Sequence, residues 1–359
     1  MAMYLKDVML GTNFNDKDVL RSMTVRGYAD SVNILFQKRG FVMPTRWSEP
    51  GNLPATLVEN LAKEEVVASQ RSPLDNKIFA QLHAKATASK SPDSLDNLFF
   101  NLLVLARYVG PRSSEYAQTK QTACDYHTYP SGRKVVKAFT ANDFAFHDED
   151  GNRITDFSKS SRTRARSVTI TWRIQKNRQN GQKITLGADV KVPILCPVRS
   201  CMKLVERAQR LGQPPDLPVC VYPNKNGQLL YLTGSKVASL LRNAVMHIRP
   251  TTPKEELTKF SAHSLRVWAC VLLDEVGKSP EFIKKRLRWM GDSFRMYLRD
   301  TNIINKQHRE ALALSTSETS EFISEAIAAS MAHLHVADSA LPDETPVDQE
   351  MGSYKDDMD

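Results

Sequence analysis

Between Phe157 and Ala188 the chain reads FSKSSRTRARSVTITWRIQKNRQNGQKITLGA. Eight bases stand in this stretch (Lys159, Arg162, Arg164, Arg166, Arg173, Lys176, Arg178 and Lys183), and it holds no Asp or Glu. Val168, Ile170, Trp172 and Ile174 alternate with Thr169, Thr171 and Arg173, the period-2 pattern of a strand with one buried face. Asn177 to Gln182 is turn-like, and Lys183-Ile184-Thr185-Leu186 is predicted to return as the second strand. A basic β-hairpin is expected here, its charges facing solvent or a phosphate backbone. Lys159–Arg166 could equally serve as a nuclear-import patch.

Outside the hairpin the patterning is mostly helical. Val25, Tyr28, Ala29, Val32, Leu35 and Phe36 recur at helical spacing and stop at Gly40. Helices are predicted over Leu57–Ala68 and Asn76–Ala86. Ser91-Pro92-Asp93 has the form of a cap with Pro at the first helical position, followed by Leu95, Leu98, Phe99, Leu102, Leu103 and Ala106. That helix should end near Gly110-Pro111. Ala138 to Ile194 is strand-like. Further helices are predicted over Pro197–Leu211, Lys236–Ile248, His263–Val276, from Ser279-Pro280 to about Trp289, from Asp292 or Ser293 onward, and over Ser317–His335. Helices, then a small sheet, then helices give an α+β fold, mainly α-helical, with a small antiparallel sheet.

Composition narrows the function classes. Of 359 residues, 41% are apolar and 25% charged, which excludes a wholly disordered chain. No run approaches the ~18 consecutive apolar residues of a membrane span, so no membrane role is expected. The first residues, MAMYLKDVML, lack the regions of a secretory signal. Five cysteines without zinc-type spacing point to a reduced, intracellular setting and to no metal site. The formal charge of +9 hides a split. From Ala337 onward eight acids face a single base, Lys355, so this tail carries −7 and the residues before it +16. The tail is expected to be disordered. A body this basic fits a polyanionic partner such as nucleic acid, or solubility alone.

Four short motifs could carry chemistry. In Gly110-Pro111-Arg112-Ser113-Ser114-Glu115 the carboxylate can orient the guanidinium three residues away, as many surface ion pairs do. Lys176 lies at the hairpin tip, where a lysine is either solvated or able to protonate a leaving oxygen. His263 and Arg266 share a face at a helix start, which favours an anion through free N–H groups and a bidentate fork, although a helix-opening His is often a cap or a core residue. Arg288-Trp289-Met290-Gly291-Asp292-Ser293-Phe294-Arg295-Met296-Tyr297 offers an indole N–H and a phenol, each ordinarily a core group.

In this order Arg112, Lys176, His263, Arg266, Trp289 and Tyr297 resemble the catalytic set of the tyrosine recombinases (phage integrase-like), over roughly Asp75 to Asn305. The phrase from Arg288-Trp289 to Leu298-Arg299 is most similar to recombinases of eukaryotic mobile elements. Pro111 departs from the family pattern, Trp289 stands where His is commoner, and the spacing from Trp289 to Tyr297 is one residue short of the usual. The resemblance implies a partial all-helical core-binding domain over 1–74, a catalytic domain over 75–335 and an acidic tail over 336–359. It implies cleavage and rejoining of double-stranded DNA through a 3′-phosphotyrosyl link to Tyr297, without metal or cofactor. Arg112 and Arg266 would hold the phosphate, His263 would take the tyrosine proton, Lys176 would protonate the leaving 5′-hydroxyl, Trp289 would donate to the phosphate and Glu115 would support Arg112. Arg173, Arg178 and Lys183 lie close enough to compete with Lys176. The eight bases of the hairpin region would grip phosphates. The resemblance also implies a homo-tetramer on paired sites and, in a eukaryote, a nuclear location. An inactive domesticated DNA-binding protein and a type IB topoisomerase are the alternatives.

Overall fold

The computed structural model describes residues 22–49, 51–64, 70–157, 159–175 and 180–298. They fall into two compact units divided between Gln70 and Arg71. The predicted Ser317–His335 helix and the acidic tail lie outside the described residues, as do Lys176 and Arg178.

The first unit is a helix pair, α1 (Ser22–Lys38) and α2 (Leu53–Glu64). Val25, Ala29 and Val58 form its small core, with Trp47 and Leu61 packed alongside. Buried positions on α1 run Ser22, Val25, Ala29 and Asn33. The predicted apolar face therefore holds only in part, since Leu35 is 55% exposed. The last buried place goes to Asn33, whose amide donates to the Thr45 carbonyl (2.8 Å) and accepts from the Thr45 amide (3.1 Å), pinning the connecting loop.

The second unit opens with α3 (Asn76–Ala88) and α4 (Leu95–Val109). From Leu98 to Ala106 every residue of α4 is buried. A helix apolar all round belongs at the centre of a core, and α4 packs against helices on several sides. Its cap is Ser94, whose hydroxyl accepts from the Asn97 amide (3.2 Å), so the helix begins after the predicted Ser91-Pro92-Asp93 start. Ser91 instead opens a turn ahead of the helix, its hydroxyl accepting from the Asp93 amide (3.2 Å) and its carbonyl from the Ser94 amide (3.2 Å). At the other end Gly110 adopts φ +47, closing α4 as the sequence indicates.

There follow α5 (Ser113–Tyr116), the ribbon β1 (Tyr126–Thr128) with β2 (Lys134–Val136), β3 (Phe144–His147), β4 (Arg153–Ile154), α6 (Lys159–Arg164), β5 (Ser167–Trp172), β6 (Gln182–Gly187), α7 (Pro197–Arg210) and the ribbon β7 (Val221–Pro223) with β8 (Leu229–Tyr231). The hairpin is as predicted: β5 and β6 are antiparallel, with Ile170 opposite Ile184 and Thr171 opposite Lys183. They lie in an antiparallel sheet of order β4-β3-β5-β6. Val168, Ile170 and Trp172 are buried and contribute to the core that includes α7, while Lys183 and Thr185 face outward. The strand-like reading of 138–194 missed α6, a Ser- and Arg-rich helix with no apolar period to betray it.

The last part comprises α8 (Gly234–Ile248), α9 (Lys254–Thr258), α10 (Ser264–Glu275), α11 (Pro280–Arg286) and a 3-10 segment, Asp292–Tyr297. The α11 helix stops short of Trp289 because Arg288 has φ +58, outside helical space. The expected final helix is capped at Gly291, not at Asp292 or Ser293, and winds as 3-10. The fold is α+β and mainly helical. No described helix is long and apolar enough to cross a membrane.

Gly110 is needed twice over. Its φ favours glycine, and a Cβ there would meet Leu287 Cδ2 at 3.1 Å and the Ala269 Cβ at 3.2 Å. Gly110→Ala is expected to cost about 2 kcal/mol, read as a lower urea midpoint; an unchanged midpoint would contradict so close an approach.

Candidate active site

Three chain segments converge where α4 ends. Beyond Gly110, the short α5 is capped by a reciprocal pairing in which Glu115 reaches back to Arg112. Glu115 Oε2 accepts from the Arg112 amide (3.0 Å), and Oε1 accepts from Arg112 Nη1 (3.1 Å). Oε2 also accepts from Trp172 Nε1 (3.1 Å), on the buried face of β5, and from Arg288 Nη2 (2.9 Å). A carboxylate only 3% exposed thus receives four donors. Such saturation offsets the desolvation of the charge.

Arg288 is the group that the sequence reading passed over. Its side chain is fully buried against Glu115. Nη1 donates to the Val109 carbonyl (3.0 Å), and the guanidinium carbon lies 3.9 Å from the Trp172 ring centroid, a cation–π contact. Its own carbonyl accepts from Arg112 Nη2 (3.2 Å). An arginine between Leu287 and Trp289, after the last turn of a helix, was the available signal; nothing in the spacing marked it as buried.

The third segment is the start of α10. His263 occupies the cap position, and Arg266 lies in the first turn. Arg266 is 1% exposed. Nη1 donates to the Gly110 carbonyl (2.5 Å) and Nη2 to the Leu287 carbonyl (2.7 Å), so two donors of the expected open fork serve to lock the ends of α4 and α11 together. Its guanidinium carbon sits 4.2 Å from the Trp289 ring centroid. Burial, with Arg112 and Arg288 nearby, pushes its pKa down to about 9, and burial takes Arg288 to about 10. Both remain charged at neutral pH. Three guanidinium groups against one carboxylate leave two positive charges in excess, an arrangement suited to an anion.

Tyr297 reaches this cluster through the 3-10 winding. With three residues per turn, Phe294 and Tyr297 share a face. Phe294 is buried among Ala269, Cys270, Ile283 and Leu287, which carries Tyr297 to the start of α10. His263 Nε2 and Tyr297 Oη are 2.8 Å apart, a hydrogen bond. Burial, then Arg266 and Arg71, holds the His263 pKa below its usual value, and burial raises that of Tyr297. A neutral imidazole thus faces a protonated phenol, the pairing needed for the ring to accept the phenol's proton. The Trp289 ring centroid lies 5.7 Å from that of Tyr297, and Trp289 Nε1 is buried without a hydrogen-bond partner. A buried orphan donor beside a cationic cluster fits an anionic oxygen in the ligand-bound state.

Of the six residues expected to act together, Arg112, His263, Arg266, Trp289 and Tyr297 converge on one site with Glu115; Lys176 lies outside the described residues. Several bases of the basic stretch have acidic partners within the fold. Arg173 is bound to Asp143 (2.5 Å) and to the Ala138 carbonyl (2.8 Å), a tie between the sheet and the loop before it. Arg162 pairs with Glu206 (3.0 Å), and Arg166 approaches Glu149 (3.9 Å). Acids absent from the stretch in sequence are supplied to it in space. Arg164 and Lys183 are exposed; Arg178 and the side chain of Lys159 lie outside the described residues.

No family model and no curated protein matches the chain. Among solved structures it is similar to the Tn1549 transposon integrase in complex with circular intermediate DNA (13% identity, covering 82% of this chain and 80% of that one, TM-score 0.42). It is also similar to a lambda integrase dimer bound to a COC′ core site (12%, 84% and 80%, 0.40) and to XerA recombinase (12%, 89% and 90%, 0.35). At these scores the likeness is loose.

Glu115→Gln keeps the shape and removes the charge that faces Arg112 and Arg288. The expected loss is about 3–5 kcal/mol of unfolding free energy, as for other broken buried ion pairs. Urea melts superimposable on those of the parent would contradict the role given to this carboxylate.

Proposed function

We propose that this chain is a DNA strand transferase of the tyrosine recombinase type. The observation that carries the reading is the 2.8 Å contact between His263 Nε2 and Tyr297 Oη beside a buried cationic cluster. Tyr297 Oη attacks a backbone phosphorus while its proton passes to His263. The bond to O5′ breaks, leaving a 3′-phosphotyrosyl link and a 5′-hydroxyl that takes a proton from Lys176. Attack by a 5′-hydroxyl reverses the step and rejoins the strand, so the energy of the phosphodiester is conserved in the covalent link. Arg112 and the remaining donors of Arg266 stabilise the non-bridging oxygens as charge builds on them, and Trp289 Nε1 donates to one of those oxygens. Glu115 and Arg288 hold Arg112 in place. The helix pair at the N-terminal end serves as a partial DNA clamp and the second unit as the catalytic domain. Arg164 and Lys183, with Lys159, Lys176 and Arg178, supply contacts to phosphates. Assembly as a tetramer on paired sites and descent from a mobile element complete the reading.

A second reading rests on Arg266. With two donors committed to backbone carbonyls and almost no exposure, it suits a domesticated protein that grips DNA and no longer cuts it. A nicked duplex that traps covalent product separates the two: Tyr297-linked DNA in a denaturing gel supports the transferase, and tight binding without a covalent product supports the domesticated form.

Tyr297→Phe is expected to abolish the covalent product and leave duplex affinity within about twofold; adduct formation by the Phe variant would show that another residue is the nucleophile. The pH profile follows from His263. Its depressed pKa keeps the accepting form present below the ordinary histidine value of about 6.5. Single-turnover cleavage should therefore hold through pH 6.5 and fall only as pH drops through the lower value. The stability contributed by the buried neutral ring is full above about pH 6.5 and is lost progressively as pH falls from there through the lower value. Half-loss of the rate above pH 7 would contradict this assignment.

A further inference from the structure

A second polar recess opens beside the first. The segment after α5 runs parallel to the start of α8, joined by a bridge between Gln118 and Thr233 and by the Gln118 amide donating to the Leu232 carbonyl (2.8 Å). Between them lies a cavity of about 330 Å³ lined by Ser113, Ser114, Gln118, Thr119, Asp125 and Ser235. Ser113 follows Arg112 directly in the chain.

Two features give the recess the character of an anion site. The first turn of α8, a helix of 15 residues, borders it at Gly234 and Ser235, where backbone N–H groups lack intrahelical acceptors. Thr233 Oγ1 accepts the Lys236 amide (3.2 Å) and is hydrogen-bonded to Ser235 Oγ (3.0 Å), while Gly234 and Ser235, whose amides are the first two of the helix, line the recess. Gln118 supplies the second, independent feature. It is 3% exposed, and its Nε2 is buried with no hydrogen-bond partner. The orientation of that amide is fixed, because Oε1 accepts from the Asp125 amide (2.6 Å) and a flip would set two donors against each other. A buried N–H₂ left open costs stability unless a ligand completes it. The one acid in the lining, Asp125, is engaged by its own loop. Asp125 Oδ2 is already taken by the Thr119 amide (2.7 Å) and the Thr119 hydroxyl (2.8 Å).

We propose that this recess binds a DNA backbone phosphate flanking the one placed before Tyr297, through the α8 amides, Ser235 Oγ and Gln118 Nε2. The proposal rests on the function given above and extends it to a second phosphate. Because Arg112 and Ser113 are consecutive, one stretch of backbone serves both phosphates, and the second contact fixes the angle at which the strand crosses Tyr297. Neutral donors at a helix start can hold a phosphate while leaving the excess positive charge to the reacting one.

The test uses the full chain and a fluorescent 30-base-pair duplex. Ser235→Asp places a carboxylate in the first turn of α8, where it favours the helix, so the thermal midpoint should hold or rise while duplex affinity falls about tenfold. Gln118→Glu keeps the bond from the Asp125 amide and replaces the open donor with an acceptor; a loss of similar size is expected. Asn243→Asp makes the same change in charge on the exposed side of α8 and should alter affinity less than threefold. Full affinity in Ser235→Asp and Gln118→Glu, or an equal loss in Asn243→Asp, would overturn the second site. So would saturable binding of inorganic phosphate that Ser235→Asp removes without weakening the duplex. Failure of the unmutated chain to bind duplex DNA would instead overturn the function on which the site rests.

Discussion

The carboxylate of Glu115 is the constraint on which the rest of the site depends. It receives the Arg112 amide, the Arg112 guanidinium, the Trp172 indole and the Arg288 guanidinium, and so ties three distant stretches of chain to one point. Each of the three stretches reaches it from a different structural cause: a capping turn, the buried face of a strand, and a residue forced out of helical space at the end of α11. Removing the charge leaves the buried Arg288 and the partly buried Arg112 without their counter-ion, and the desolvation cost then falls on the fold. The same geometry explains why Arg288 tolerates a positive φ. Its backbone strain is offset by an ion pair, a carbonyl and an aromatic face.

Around that point the helix ends do the positioning. Gly110 closes α4 and turns its carbonyl to Arg266, whose other terminal nitrogen holds the Leu287 carbonyl at the end of α11. Arg266 is thus a structural tie before it is a ligand for anything. His263, one residue before α10, is left facing Tyr297, and the 3-10 winding from Asp292 delivers Tyr297 to it. A segment of 3-10 rises about 2.0 Å per residue against 1.5 Å in an α-helix. It therefore covers the distance from Asp292 to Tyr297 with fewer residues than an α-helix would need.

Much of this was legible in the chain. The alternation of Val168, Ile170 and Trp172 fixed which face of the hairpin is buried, and the αL stop at Gly110 followed from its place after an apolar helix. The spacings Arg112–Glu115 and His263–Arg266 placed each pair on one face, and the chain order of the motifs pointed to a common site. What escaped was set by contacts distant in sequence. Arg288 is buried because Glu115 and Trp172 wait for it, and neither is near it in the chain. Arg173, Arg162 and Arg166 looked free because their acids, Asp143, Glu206 and Glu149, lie outside the acid-free stretch. One miss was local: the start of α4 slipped from Ser91 to Ser94 because Ser91 is spent on a turn before the helix. Helix α6 has no apolar period at all. Local periodicity reports which face is buried; it does not report the partner that a charge will find.

The central claim is that Tyr297, relieved of its proton by His263, becomes joined to DNA. Peptide mapping by mass spectrometry, after incubation with a nicked duplex and digestion of both protein and DNA, tests it most directly. A nucleotide 3′-phosphate adduct is expected on the peptide that contains Tyr297 and on no other. An adduct on a different residue, or none from protein fully bound to the duplex, would contradict it.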